Sequence, residues 1–290
     1  NTIWVRGAAG TVNLGQVVAV ASTSSTSTSP VLFRGYNTTR GDNPSILSGS
    51  HPIIASGANS ITFGQYWLVF NCTFTGTSAI NATLALGGLF YQCKGLNSSV
   101  TANRVGLGAS NAGRQLIAFS EGVSQNGYGI QLTGASSCAY QNYAHDSAVG
   151  IQGSSNGQVI VMNLVNNCFS NGITTSGSTV GNNSILGNTI RGYSSKVGNG
   201  ISIVNADNPA TRWFNNIITS WAVGVNKNTS AQGTCTGFNN TYFDNTSNGT
   251  NYTIDSAREF TTDPQFVDTT ELSGSTATTS GTVLTQTGAD

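Results

Sequence analysis

Apolar residues in this chain fall in short runs separated by Gly, Asn, Ser and Thr, and no window keeps the 3.6-residue spacing of an amphipathic helix. From residue 126 onward the runs repeat. A glycine followed by a β-branched residue occurs at Gly129-Ile130, Gly150-Ile151, Gly172-Ile173, Gly200-Ile201 and Gly224-Val225, with spacings of 21, 22, 28 and 24 residues. An asparagine inside an apolar run follows in step at Asn142, Asn163, Asn188, Asn216 and Asn240, with spacings of 21, 25, 28 and 24. Two markers drifting together define one turn of a solenoid, roughly 20–28 residues long and built of short strands. No L-x-x-L-x-L pattern recurs, which excludes a leucine-rich repeat.

Stacking of such turns about 4.8 Å apart lines up equivalent positions as ladders. The residues two before the asparagine (Tyr140, Val161, Leu186, Phe214, Phe238) and two after it (Ala144, Val165, Ile190, Ile218, Tyr242) are mostly apolar. Both sets read as inward-facing. The asparagine between them then points inward at a corner, where its amide bonds the amides above and below. The longer repeats place their extra residues in loops, such as Ser194 to Gly198 and Asn205 to Ala210.

The first half follows the plan less cleanly. Strands are predicted at Thr2–Val5, Val17–Ala21, Val31–Phe33, Ile53–Ala55, Ile61–Phe63, Trp67–Phe70, Leu84–Leu86, Leu89–Tyr91 and Leu116–Phe119. Asn71, Gln92 and Ser120 extend the corner series. Cys72 and Cys93 then stack one turn apart, with parallel side chains that do not suit a disulfide torsion. Cys72, Cys93 and Cys168 are expected to be free, buried thiols. The full set of five cysteines has no metal-type spacing.

Composition narrows the function classes. Only 8% of residues are charged and the formal net charge is zero, against about 25% charged in an average domain. Balanced charge leaves no footprint for nucleic acid. No apolar stretch approaches the roughly 18 residues of a membrane span, so no membrane insertion is expected, and without an n-region, h-region and cleavage site at its start any signal peptide is expected to be already gone or never to have existed. Disorder is excluded by a hydrophobic fraction of 38% set in regular runs. The fold class is therefore all-β, a single-stranded right-handed parallel β-helix.

The pattern resembles the pectate-lyase-like superfamily of right-handed parallel β-helices, which includes polysaccharide lyases and hydrolases, phage tailspikes and secreted repeat proteins. The resemblance rests on the opening strand Ile3-Trp4-Val5, the segment Ser29-Pro30-Val31-Leu32-Phe33-Arg34-Gly35-Tyr36-Asn37, and Thr262-Asp263-Pro264-Gln265-Phe266-Val267-Asp268, similar to a D-P-x-F-V-D terminator. It implies a β-helix over residues 1–268, leaving 269–290 as a Ser/Thr/Gly-rich tail or linker. It also implies an extracellular, cell-surface or virion location, a polysaccharide or surface glycan as partner, and a possible homo-oligomer, trimeric in phage relatives. It is weak for activity, because one scaffold hosts many functions.

The enzymes of that superfamily concentrate carboxylates. Here Asp146 and Asp244 share an offset but lie four turns apart, and Glu121 and Asp146 are expected ten or more Å apart, beyond an inverting pair. No calcium-type acidic cluster occurs, so no metal or cofactor is implied. Catalysis, if present, falls to Glu121, Asp146 and Arg191. The file three residues beyond the corner asparagine reads His145, Asn166, Arg191, Thr219 and Phe243. With Tyr143 and Asp146 beside it, Tyr143, His145, Asp146, Asn166 and Arg191 form a candidate carbohydrate-binding strip, because aromatic faces stack on sugar rings and polar tips bond hydroxyls. A solvated sheet face is the plainer alternative. His145-Asp146 lacks a nucleophile at a strained elbow and so is not a catalytic dyad. Trp213 and Trp221 are candidate exposed aromatics, although Trp213 aligns with Ala139, Ile160, Ile185 and Gly237 and is expected to pack under a loop. Ten N-x-S/T sequons occur, with Asn245, Asn248 and Asn251 placed in a loop and Asn71 at a buried corner.

The composite expectation is a non-catalytic, surface-exposed structural or adhesive rod that contacts glycans along its flank. A polysaccharide lyase or glycoside hydrolase, and a purely architectural subunit, are the alternatives.

Overall fold

The computed structural model describes residues 2–7, 11–13, 18–20, 25–42, 51–110, 113–176, 182–204, 211–227 and 235–264. Among the described residues, thirty strands form three parallel ten-stranded sheets, and no helix is long and apolar enough to cross a membrane. Each coil contributes one strand to sheet A, then one to sheet B, then one to sheet C. Sheet A takes β1 (Thr2–Arg6), β4 (Val31–Tyr36), β7 (Trp67–Phe70), and every third strand to β28 (Thr236–Phe238). The chain is a parallel β-helix. The predicted loop at 205–210, the end of the D-P-x-F-V-D segment and the tail at 269–290 lie outside the described residues.

The glycine markers fall in sheet C, where Ile130, Ile151, Ile173, Ile201 and Val225 stack in register. The glycine before each is demanded by sheet B lying close alongside. A Cβ on Gly172 would stand 2.3 Å from Ile190 Cγ2, and one on Gly122 in sheet B would stand 2.5 Å from the Gly129 carbonyl oxygen. Sheets B and C thus meet almost backbone to backbone, and the wider core lies against sheet A. It is aromatic near the start (Phe63, Phe74, Phe90), aliphatic through the middle, and aromatic again at Trp213, Trp221 and Tyr242.

The asparagine file forms a continuous ladder between sheets A and B. Asn163 Oδ1 accepts from the Asn142 main-chain N (2.9 Å) and Nδ2 (3.0 Å), while Asn163 Nδ2 donates to the Ala139 carbonyl (3.0 Å) and to Asn188 Oδ1 (2.9 Å). Asn188, Asn216 and Asn240 repeat this arrangement. At the far end Asn240 Nδ2 donates to Glu259 Oε1 at 3.0 Å, and the same carboxylate accepts from the Tyr242 and Tyr252 hydroxyls and the Asp255 amide. At the near end Asn142 Oδ1 accepts from Ser120 N, and Ser120 Oγ accepts from Cys93 N.

The phase of this corner differs from the sequence expectation by one residue. Asn71, Gln92, Phe119, Gln141, Met162, Asn215 and Asn239 are left-handed, with φ between 50° and 57°. This extra bend breaks the two-residue alternation of a strand. Ala139, Ile160, Ile185 and Trp213 therefore point inward, at 0–1% exposure, while Tyr140, Val161, Leu186, Phe214 and Phe238 face outward and are half-buried. Trp213 is a core residue rather than one packed under a loop, and Trp221 is fully buried too. Asn71 and Gln92 occupy the bend, and Cys72 and Cys93 hold the ladder position. Those thiols and Cys168 are free and buried. The predicted strand at Leu84–Leu86 lies instead at Ile80–Leu84.

Candidate functional site

Outside the core, ionisable side chains gather on the outer face of sheet B. There β11 (Lys94–Asn97), β14 (Glu121–Ser124), β17 (Tyr143–His145) and β20 (Leu164–Cys168) run side by side. Glycine or alanine faces inward at Gly95, Gly122 and Ala144, so the flanking residues of each strand turn away from the core. Lys94, Glu121 and Tyr143 then share one file, and Val123, His145, Asn166 and Arg191 share the next.

His145 is the centre of the group. Its Nε2 lies 3.1 Å from Glu121 Oε1, and its Nδ1 lies 2.7 Å from Asp146 Oδ2. Lys94 Nζ reaches the same Glu121 oxygen at 2.6 Å. Asn167 Nδ2 donates to the other oxygen of Asp146, and the Tyr143 ring stacks on the imidazole with centroids 4.1 Å apart. Asp146 occupies a second left-handed corner, in the same place as Asn167, Ser220 and Asp244 (φ 46°, 54°, 64° and 54°). Asn and Asp accept that backbone readily, which is the local reason for a carboxylate at this spot.

The electrostatics follow from the contacts. Burial alone depresses the His145 pKa, but the hydrogen bonds to Asp146 and Glu121, with their charges, outweigh it and raise the value above 6.5. Burial raises the pKa of both carboxylates, and His145, with Lys94 on Glu121 and Asn167 on Asp146, brings each net below its ordinary value. Burial pushes the Tyr143 hydroxyl up to about 12. With a carboxylate against each nitrogen, both ring nitrogens of His145 are engaged within the cluster, which favours the protonated imidazole.

The sequence places Glu121 and Asp146 ten or more Å apart; the structure brings both onto one ring. Imidazole nitrogens are about 2.2 Å apart, so the two carboxylate oxygens are on the order of 7–8 Å apart. That spacing matches an inverting pair, whose gap holds sugar and water, but here the imidazole fills the gap. The strip is also less open than expected, since His145 and Asn166 are 4% and 2% exposed. Tyr143 and Arg191 are half-buried, and the Asp146 and Lys94 side chains are 28% and 25% exposed. These four are the outward edge of the cluster. Burial lowers the Arg191 pKa, and Asp244 partly opposes this.

Lys94 and Asn167 were not singled out by sequence. Lys94 had a signal, because it stands in the Glu121 file one coil earlier. The five described cysteines are free, and no group of three or more His, Cys, Asp or Glu suited to a metal occurs among the described residues. The sequon cluster is not a plain loop. Asn245 Oδ1 accepts from Trp221 N and its Nδ2 donates to the Ile218 carbonyl, while Asn248 lies in β30 (Ser247–Thr250). Asn71, Asn81 and Asn97 are buried, at 2%, 0% and 2% exposure.

No protein-family model matches the chain, and no curated protein matches it. Among solved structures, a mutant of the periplasmic alginate epimerase AlgG is similar, with 12% identity and a TM-score of 0.43 over 89% of this chain and 75% of that one.

Proposed function

We propose that this protein is a non-catalytic β-helical rod that works outside the cell by presenting its surface, and that it contacts polysaccharide along the flank of sheet B. The observation that carries this reading is the mutual neutralisation of the densest ionisable cluster among the described residues. His145 holds a carboxylate on each nitrogen, and Glu121 is further tied to Lys94. General acid–base work needs a group free to give or take a proton near the reacting atom. Here each of the three groups is already engaged by its neighbours: His145 by both carboxylates, Glu121 also by Lys94, and Asp146 also by Asn167. The outward edge, Tyr143, Asp146, Arg191 and Lys94, supplies donors and acceptors of both signs together with one aromatic ring, which suits hydroxyl-rich ligands. His145 and Asn166 act behind that edge as positioning residues.

The rival reading, a polysaccharide lyase or hydrolase using Glu121, Asp146 and Arg191, is favoured by the convergence of two carboxylates. A panel of neutral and acidic polysaccharides separates the two. The rod reading expects retarded migration in polysaccharide-containing gels, weakened about tenfold by Arg191→Ala or Asp146→Asn, with no new reducing ends and no unsaturated products. Cleavage that disappears in Asp146→Asn sinks it.

A further inference from the structure

The His145 ring is clamped in place. Tyr143 stacks on it at 4.1 Å and 20°, the Tyr143 hydroxyl is bonded to Asn166, and Val123 and Asn166 flank His145 in its own outward file. The two carboxylates that meet the ring are held unequally. The Glu121 side chain is 4% exposed and is tied to Lys94 Nζ at 2.6 Å, so it is anchored with little solvent to move into. Asp146 is 28% exposed, stands on a left-handed corner, and has a neutral amide, Asn167, as its other partner. The remaining ionisable groups of this region are Arg191, two coils further along the His145 file, and the buried Cys168 thiol beside Asp146. The charges acting most strongly on the imidazole are those of Glu121 and Asp146.

From this unequal grip we propose that His145 is a proton-operated switch that holds or releases the Asp146 carboxylate, and so regulates the flank of sheet B. The consequence for binding rests on the reading of that flank as a glycan surface; the switch itself does not. An imidazolium donates to both carboxylates, whereas a neutral imidazole donates from one nitrogen and presents a lone pair on the other. Loss of the proton therefore leaves one anion facing a lone pair. The clamped ring does not turn away, so a carboxylate must. Moving Glu121 would break a charge pair with one partner buried, which is costly. Asp146 reaches water by rotating its side chain. The remaining proton thus stays on Nε2 against Glu121, Nδ1 faces Asp146, and Asp146 Oδ2 comes free. A freed carboxylate oxygen at the outward edge accepts sugar hydroxyls. Neutral, hydroxyl-rich glycan is then held more tightly above the His145 midpoint than below it, and the contacts with both carboxylates place that midpoint above 6.5.

The chain has two histidines, His51 and His145, so isotope-labelled histidine gives two imidazole patterns by nitrogen NMR, and the His145→Gln variant tells them apart. From about pH 5 to 9, the range over which histidine changes charge, His145 is expected to pass from the doubly protonated ring to the Nε2–H tautomer. An Nδ1–H tautomer at high pH, or a ring that does not titrate in that range, overturns the switch. Glu121→Gln, shown to be folded by far-ultraviolet circular dichroism, removes the anchored anion and is expected to reverse the tautomer; a neutral ring still protonated on Nε2 in that variant overturns it equally. Binding is read at each pH by retardation in gels containing dextran, laminarin or galactomannan. The native chain is expected to bind about tenfold more tightly above the midpoint than below it, and His145→Gln to lose that dependence. Binding that ignores pH, or that follows pH equally in His145→Gln, overturns the regulation. Absence of retardation by all three polymers at every pH refutes the glycan reading and the regulation together, and the tautomer still decides the switch.

Discussion

Nε2 of His145 lies 3.1 Å from Oε1 of Glu121, a diagonal contact between neighbouring coils that closes a chain from Lys94 to Asn167. Because the contact raises the His145 pKa above 6.5, its stabilising contribution is full below about that pH and is lost as pH rises through the folded value. Glu121 and Asp146 are shifted down from 4.5 and 3.8, so their contribution is present above those values and fades as pH falls through the folded ones. The cluster therefore stabilises most between about pH 4.5 and 6.5. Thermal melts across pH 4–9 check this. The alkaline fall in Tm is expected to flatten in His145→Gln, and an unchanged slope in that variant contradicts the assignment.

The amide ladder makes a graded prediction. Asn163→Ala removes an amide with four partners and leaves the Asn142 and Asn188 side chains and the Ala139 carbonyl short of theirs. A loss of about 3 kcal/mol or more is expected. Ser120→Ala, at the near end, withdraws one acceptor from Cys93 N and is expected to cost about 1 kcal/mol. Urea denaturation orders the two, and equal losses argue against a cooperative ladder.

At the other end, Glu259 collects four donors on two oxygens. Glu259→Gln turns one acceptor into a donor facing donors, with an expected loss of about 2 kcal/mol. Restoration of native stability by Gln, measured by the same denaturation, rules out the ladder-closing role.

The repeat was legible because both of its markers answer to backbone demands that recur every coil. Glycine is required where sheet C meets sheet B, and asparagine where a buried corner needs a donor and an acceptor. The facing of Tyr140 and Phe214 was not legible. The left-handed bend at Gln141 and Asn215 adds a residue that apolar patterning does not mark, and the alternation slips by one. The His145 cluster was half legible. Tyr143, His145 and Asp146 stood out as residue types, but separations counted along strands miss a diagonal reach between files, so Glu121 looked remote and Lys94 went unnoticed.

Replacing Gly200 with alanine puts a methyl 2.4 Å from Ile218 Cγ2 and 2.6 Å from the Gly224 carbonyl oxygen, and one more carbon there is expected to cost at least about 1–3 kcal/mol in overpacking, read as a fall in the urea midpoint. Crowding of this kind along the seam of sheets B and C leaves that side no volume to give up to a ligand. New binding chemistry in this molecule is therefore additive. It comes by lengthening the connections between strands, where the repeat already varies from 21 to 28 residues, while the interior stays under the same constraint coil after coil.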